Sequence, residues 1–150
     1  MAKIGFIGTG IMGEPMAANL QKAGHQLFLS EHHGKAPQAL IDAGAVALAN
    51  PQQVAQEAEF IIVMVPDTPQ VDDVLFRKDG VAAGLSPNKV VIDMSSISPT
   101  ATKTFAAKIN ETGARYLFHI GDAEGRCIVR STRAGRVVPS ERWLVLGRRI

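Results

Sequence analysis

Lys3-Ile4-Gly5-Phe6-Ile7-Gly8-Thr9-Gly10-Ile11-Met12-Gly13 is the stretch whose reading decides the fold. Its apolar run to Ile7 fits a strand buried on both faces of a parallel sheet. Met16, Ala17, Leu20 and Ala23 then recur at helical spacing, with Pro15 near the start and Gly24 as the stop. A strand that runs into Gly8-x-Gly10-x-x-Gly13 and then a helix has the pattern of a dinucleotide-binding turn. Gly8 allows the tight turn, Gly10 lets backbone approach a pyrophosphate, and Gly13 lets helix and strand pack closely. Thr9, Ile11 and Met12 complete the turn, and the helix start offers free N–H groups and partial positive charge to phosphates. A glycine-rich turn without a ligand is the alternative, and the strand–turn–helix context argues against it.

Outward from this unit the same alternation continues. Strands are expected at 26–30, 45–48, 60–65 and 89–93, with a last one beginning at Arg115. Helices are expected at 37–43, from Asn50-Pro51 to Ala58, at 68–76, and from Ser98-Pro99 to about Glu111. Ser98-Pro99 reads as a helix cap, and Asp79-Gly80 as a turn. Strands and helices alternating at this pitch form right-handed βαβ units. The fold class is therefore α/β, a Rossmann-type doubly wound parallel sheet with helices on both faces.

In such a sheet ligands bind beyond the carboxyl ends of the strands. An acid about 20 residues past the glycines accepts hydrogen bonds from the adenosine ribose of NAD, and Glu31 is the candidate. An arginine nearby would favour the 2′-phosphate of NADP. None is close in sequence, although His32, His33 and Lys35 could partly substitute. The cofactor reading stays open between NAD and NADP. Adjacent His32 and His33 also raise metal binding, but no third ligand sits at a recognisable spacing, so no metal site is assigned. Val65, Pro66 and Asp67 fall on the cofactor edge, as do Ser95 and Ser96, unless these serines only bond within their own turn.

Composition narrows the class. The chain has 150 residues, 46% of them hydrophobic and 20% charged, which suits a globular domain. No apolar run approaches the roughly 18 residues of a membrane helix. The start shows no secretory pattern, and Cys127 is the only cysteine, so the expected location is cytoplasmic. There is no Gly-x-Ser-x-Gly elbow, no phosphate loop and no HExxH.

Three segments carry a family resemblance. They are Gly5–Met16, Met64-Val65-Pro66-Asp67-Thr68-Pro69-Gln70-Val71, and Val91-Ile92-Asp93-Met94-Ser95-Ser96-Ile97-Ser98-Pro99. Together they resemble the β-hydroxyacid dehydrogenase family, which includes 3-hydroxyisobutyrate and 6-phosphogluconate dehydrogenases. Within it, the match points to reductases that take 2-hydroxy-3-oxopropionate to glycerate, in glyoxylate or glycerate metabolism. The resemblance implies an NAD(P)-dependent oxidoreductase, a small hydroxyacid or semialdehyde substrate, and a homo-oligomer. By position, the turn through Gly13 would hold the pyrophosphate, and Ser96 would meet the nicotinamide end. Val65, Pro66 and Asp67 would flank the ribose and nicotinamide. Glu31 and His32 stand where many members have Asn-Arg beside the adenosine ribose.

The resemblance covers residues 1–117 and then stops. The family continues with an Asp-Ala-Pro-Val-Ser-Gly-Gly segment, where this chain has Phe118-His119-Ile120-Gly121-Asp122. It also implies a catalytic lysine further on, and no lysine follows Lys108. Residues 1–117 hold 9 Lys and Arg against 11 Asp and Glu, whereas 118–150 hold 7 against 3, all seven bases being arginine. The domain boundary is therefore set at 117. Residues 118–150 read as an atypical Arg-rich tail without strand or helix period, out of frame or disordered, with a divergent basic tail as the alternative. The resemblance implies an all-helical C-terminal domain that the sequence does not contain, so a truncated cofactor-binding fragment, inactive alone, is expected. A non-catalytic NAD(P)-binding module is the other reading. The tail arginines raise nucleic-acid binding, but no reader motif accompanies them, and neither nucleic acid nor membrane is an expected partner.

Overall fold

A computed structural model describes the backbone of residues 1–121, 127–133 and 136–139, and the side chains of residues 1–118. The first half is β1 (Lys3–Ile7), α1 (Gly13–Lys22), β2 (Gln26–Ser30), α2 (Gln38–Asp42), β3 (Val46–Leu48) and α3 (Pro51–Glu57). The second is β4 (Phe60–Val63), α4 (Thr68–Phe76), α5 (Val81–Gly84), β5 (Val90–Asp93), α6 (Pro99–Glu111) and β6 (Arg115–Gly121). Two further strands follow, β7 (Cys127–Arg133) and β8 (Arg136–Pro139).

The sheet order is β3-β2-β1-β4-β5-β6-β7-β8. The first six positions are parallel, with β1 in mid-sheet between β2 and β4. This is the doubly wound order, and strand succession reverses beside β1. The alternation of side chains along each strand feeds two cores. Ile61 and Val63 pack with Val54, Val71, Leu75 and Ile109 under α3, α4 and α6. Ile62, on the opposite face, packs with Phe6, Leu29, Ala17 and Leu40 under α1 and α2. Each such side chain contributes about 1.5–3 kcal/mol by leaving water.

Local chemistry sets the helix ends. Asn50 caps α3, its side chain accepting from the Gln53 N–H at 2.9 Å. At the other end of α3 the Lys89 ammonium donates to the carbonyls of Ala55 and Gln56. Ser98 stands at the start of α6 as expected, but its hydroxyl makes no cap bond. Its carbonyl instead accepts from both the N–H and the hydroxyl of Thr102, each at 3.0 Å. Its N–H donates to the Thr68 hydroxyl at 3.2 Å, which ties the start of α6 to the start of α4.

Three elements are absent from the sequence reading, α5, β7 and β8. The short α5 follows the Asp79-Gly80 turn, where no helix is expected. Beyond residue 117 the sheet continues: β6 runs to Gly121, and β7 and β8 add antiparallel strands at its edge. Antiparallel pairing needs only a short connection, and it covers the outer edge of β6. The rest of the tail, and the expectation that it is disordered, lie outside the described residues, as does the side chain of Cys127.

Candidate functional site

The carboxyl ends of β1, β2, β4 and β5 surround a cavity of about 680 Å³. Its floor is the turn from Gly8 to Gly13. Gly8 has φ +99°, and a Cβ there would overlap the carbonyl oxygen of Met64 on the neighbouring strand end. A Cβ on Gly13 would overlap the carbonyl oxygen of Gly8, so the helix start lies directly against the turn. At Gly10 a Cβ meets nothing within 4 Å. The three glycines therefore have separate roles. Gly8 lets the turn lie against the end of β4, Gly13 lets the helix start lie against the turn, and Gly10 leaves open space where it lines the cavity.

Glu14 donates its N–H to the Gly10 carbonyl at 2.9 Å, which starts α1. Among the described residues, the N–H groups of Thr9, Gly10, Ile11 and Met12 have no protein acceptor. Met12, in the N-cap position, has no side chain able to cap. Unpaired amides, a helix start and a bare Gly10 fit a pyrophosphate, which brings acceptor oxygens and negative charge. Ile11 and Met12 are 95% and 63% exposed on the same rim.

The opposite wall comes from β4 and β5. Val65 and Pro66 line it, with Met64 below and Met94, Ser95 and Ser96 alongside. A buried chain of hydrogen bonds fixes this wall. Asp93, 1% exposed, accepts the Ser95 N–H at 2.9 Å and the Tyr116 hydroxyl at 2.5 Å. The Ser95 hydroxyl oxygen accepts the Val65 N–H at 3.0 Å. Ser95 therefore joins the ends of β4 and β5, which is the local bonding weighed against a ligand role. Ser96 is exposed on the cavity rim. Burial raises the Asp93 carboxyl above the ordinary carboxylate range, although the bonds from Tyr116 and Ser95 favour its charged form. Burial and the Asp93 charge push the Tyr116 hydroxyl upward, so it remains a donor.

The adenosine end departs most from the sequence reading. Ser30, His33, Gly34 and Lys35 line the cavity there, whereas Glu31 and His32 do not. The Glu31 carboxylate instead accepts the Ala36 N–H at 3.1 Å. His32 turns to α4, with Nε2 at 3.1 Å from Asp73 and its ring against the Arg77 guanidinium. No arginine is near Glu31 in sequence, yet the fold brings Arg77 from the end of α4. Arg77 also pairs with Asp79 and, at 3.7 Å, with Asp73. Its hydrogen bond lowers the Asp79 carboxyl. His33 is lowered by partial burial and by His32, against an opposing pull from Asp73 and with a further push from Arg77. His32, His33 and Asp73 thus form a three-residue group whose third member the spacing concealed. The Arg77 cation already lies against that group, on the His32 ring.

Asp67 also lies outside the cavity lining. It is the N-cap of α4, its side chain accepting the Gln70 N–H at 3.2 Å. Gln70 itself lines the cavity, and sequence reasoning passed over it, as it did Ser30 and Gly34. The usable signal for Gln70 was its place in the first turn of a helix that begins at the cofactor edge.

A mid-sheet β1, a glycine turn with open amides, and a cavity at the strand-order reversal define a dinucleotide-binding domain of the Rossmann class. Residues 3–119 match the family model described as the NAD binding domain of 6-phosphogluconate dehydrogenase. The chain belongs to that family, as the NAD-binding domain of a hydroxyacid dehydrogenase, and its cofactor is NAD or NADP. It is 49% identical over 115 residues to the 2-hydroxy-3-oxopropionate reductase of Escherichia coli K12, covering 77% of this chain and 39% of that protein. It is 48% identical over 113 residues to the 3-sulfolactaldehyde reductase of the same organism, covering 75% of this chain and 38% of that one. Among solved structures, Psf3 in complex with NADP+ superposes with a TM-score of 0.73 at 26% identity, covering 86% of this chain and 49% of that one. The chain thus spans less than half the length of these relatives. Among the described residues, no helix is long and apolar enough to cross a membrane.

Proposed function

We propose that this domain serves the nicotinamide-dependent reduction of a short acidic semialdehyde, 2-hydroxy-3-oxopropionate to glycerate being the first candidate. The observation that carries the reading is the bare turn at Gly10, which lines the cavity and whose neighbouring amides have no protein acceptor among the described residues. Thr9 to Gly13 bind the pyrophosphate through their N–H groups. Val65 and Pro66, held by Ser95, form the wall against the ribose and nicotinamide, and Ser96 meets the nicotinamide end. The nicotinamide, when bound, supplies the hydride that converts the aldehyde carbonyl into a hydroxyl. The oxygen needs a proton from a general acid, which in the family resemblance is a lysine beyond this domain. No lysine follows Lys108 in this sequence. On this reading residues 3–119, which match the NAD binding domain, hold the cofactor, and the general acid lies outside them.

Similar identity to a sulfolactaldehyde reductase widens the substrate to three-carbon semialdehydes with an anionic group at the far end. A second reading is a non-catalytic NAD(P)-binding module. The proposed location is the cytoplasm. Calorimetric titration with NAD+ and NADP+, beside steady-state assays with 2-hydroxy-3-oxopropionate and each reduced cofactor, tests the reading. Micromolar binding with little or no turnover by the 150-residue chain is the expected result. Failure of both cofactors to bind refutes it.

A further inference from the structure

We propose that His32, His33 and Asp73 form a binding site for a divalent transition-metal ion of the zinc type, which clips the loop after β2 to α4. The inference goes beyond the cofactor reading and uses none of the glycine turn.

Adjacent histidines offer two ligands, and the sequence places no third at a recognisable spacing. The fold supplies it, because α4 carries Asp73 to the loop from 41 residues beyond His32. The His32 Nε2 lies 3.1 Å from the Asp73 Oδ2, and the His33 Nε2 lies 3.9 Å from the same oxygen. The three ligand atoms all fall within 4.8 Å of one another. Among the described residues, no other three histidine, cysteine or acidic side chains come together in this way. Two ligands each about 2.1 Å from a tetrahedral zinc ion stand about 3.4 Å apart. The separations of 3.1 and 3.9 Å bracket that value, so small side-chain rotations are enough to close on an ion. His33 and Asp73 are exposed, so an ion reaches them from solvent.

The donor set selects the ion. Imidazole suits zinc, nickel and copper, whereas magnesium and calcium take oxygen ligands. Three protein ligands leave one tetrahedral position for water.

Arg77 is the competitor at this place. Its Nη1 lies against the His32 ring and 3.7 Å from Asp73. Its Nε is bound to Asp79 at 2.5 Å, so Asp79 is its nearer partner. The Asp73 carboxylate therefore keeps charge to offer a metal, and the guanidinium can turn about its Asp79 bond as the ion enters. A divalent ion bonded to three side chains replaces a shared guanidinium contact.

The test is a calorimetric titration of the untagged full chain with Zn2+, with Mg2+ beside it. One Zn2+ per chain should bind with micromolar affinity, Mg2+ should not compete, and the thermal transition should rise with Zn2+ concentration. His33→Ala and Asp73→Asn should each weaken Zn2+ binding at least about tenfold, while His25→Ala, away from the cluster, should leave it unchanged. Melts in the absence of metal show whether each variant keeps its fold, and His33→Gln replaces the alanine variant if that one unfolds. A parent chain that does not bind Zn2+ overturns the proposal. So does an affinity unmoved by either His33 or Asp73 substitution, which would put the ion elsewhere. Neither outcome touches the dinucleotide site, which NAD(P) titration tests separately.

Discussion

The Tyr116 hydroxyl donates to the Asp93 carboxylate at 2.5 Å, in a core where Tyr116 is fully buried and Asp93 is 1% exposed. The pair joins β6 to β5 beneath the cavity wall. The same carboxylate holds the Ser95 N–H, and Ser95 holds Val65. One buried acid thus fixes the two strand ends that would flank the ribose and nicotinamide. A buried polar network of this kind is stabilising when all its members are satisfied and costly when one is removed.

Removing the donor should therefore be expensive. Tyr116→Phe leaves Asp93 buried with one acceptor unpaired, for an expected loss of about 1–3 kcal/mol in chemical denaturation. The pH dependence has a definite sign. Burial raises the Asp93 carboxyl in the folded state, so the folded state binds this proton more tightly than the unfolded chain does. Stability from this group should fall as pH rises from the ordinary carboxylate range to the raised value, and stay level above it. Asp93→Asn should flatten that decline. An asparagine variant with the same slope as the parent would place the slope elsewhere.

The glycine turn separates folding from binding. Gly8→Ala forces a side chain into a positive φ and onto the Met64 carbonyl, costing at least about 1–2 kcal/mol from the backbone alone. Gly13→Ala presses on the Gly8 carbonyl and should destabilise comparably. Gly10→Ala meets no protein atom within 4 Å, so stability should stay within about 0.5 kcal/mol. Its methyl points to where the pyrophosphate would rest, and affinity for NAD(P) should fall about tenfold or more. Thermal melts and titrations on the three variants distinguish these outcomes. A Gly10→Ala chain that binds normally would remove the phosphate from this turn.

The parallel sheet was legible because each strand is an apolar run ended by glycine, proline or a polar turn, and Gly8 to Gly13 carry their own chemistry. The adenosine end was not, because its partners come from separate elements. Arg77 and Asp73 on α4 lie more than forty residues from His32, and nothing in the spacing predicts that they meet. Glu31 sat at the right distance from the glycines, but the Ala36 N–H claims its carboxylate. The composition change at residue 118 coincides closely with the end of the family match at residue 119. The antiparallel β7 and β8 had no alternating pattern to announce them.

Asp67 is the clearest case of a residue whose neighbourhood suggests a ligand and whose bond suggests a cap. It follows Val65 and Pro66 on the cofactor edge, yet its carboxylate accepts the Gln70 N–H at the start of α4. Pro69, inside the first turn, has no N–H to donate, so the cap serves one of the few amides available there. Asp67→Ala should cost about 0.5–2 kcal/mol of stability, and Asp67→Asn or Asp67→Ser should restore most of it, since each offers an oxygen to the same N–H. Cofactor affinity should follow the loss of helix order at Gln70 and not the charge. Asp67→Asn is therefore expected to bind NAD(P) like the parent, and Asp67→Ala only modestly worse. If the asparagine variant kept full stability but lost affinity, the carboxylate would be contacting the cofactor directly, and its place would be with Val65 and Pro66 in the site.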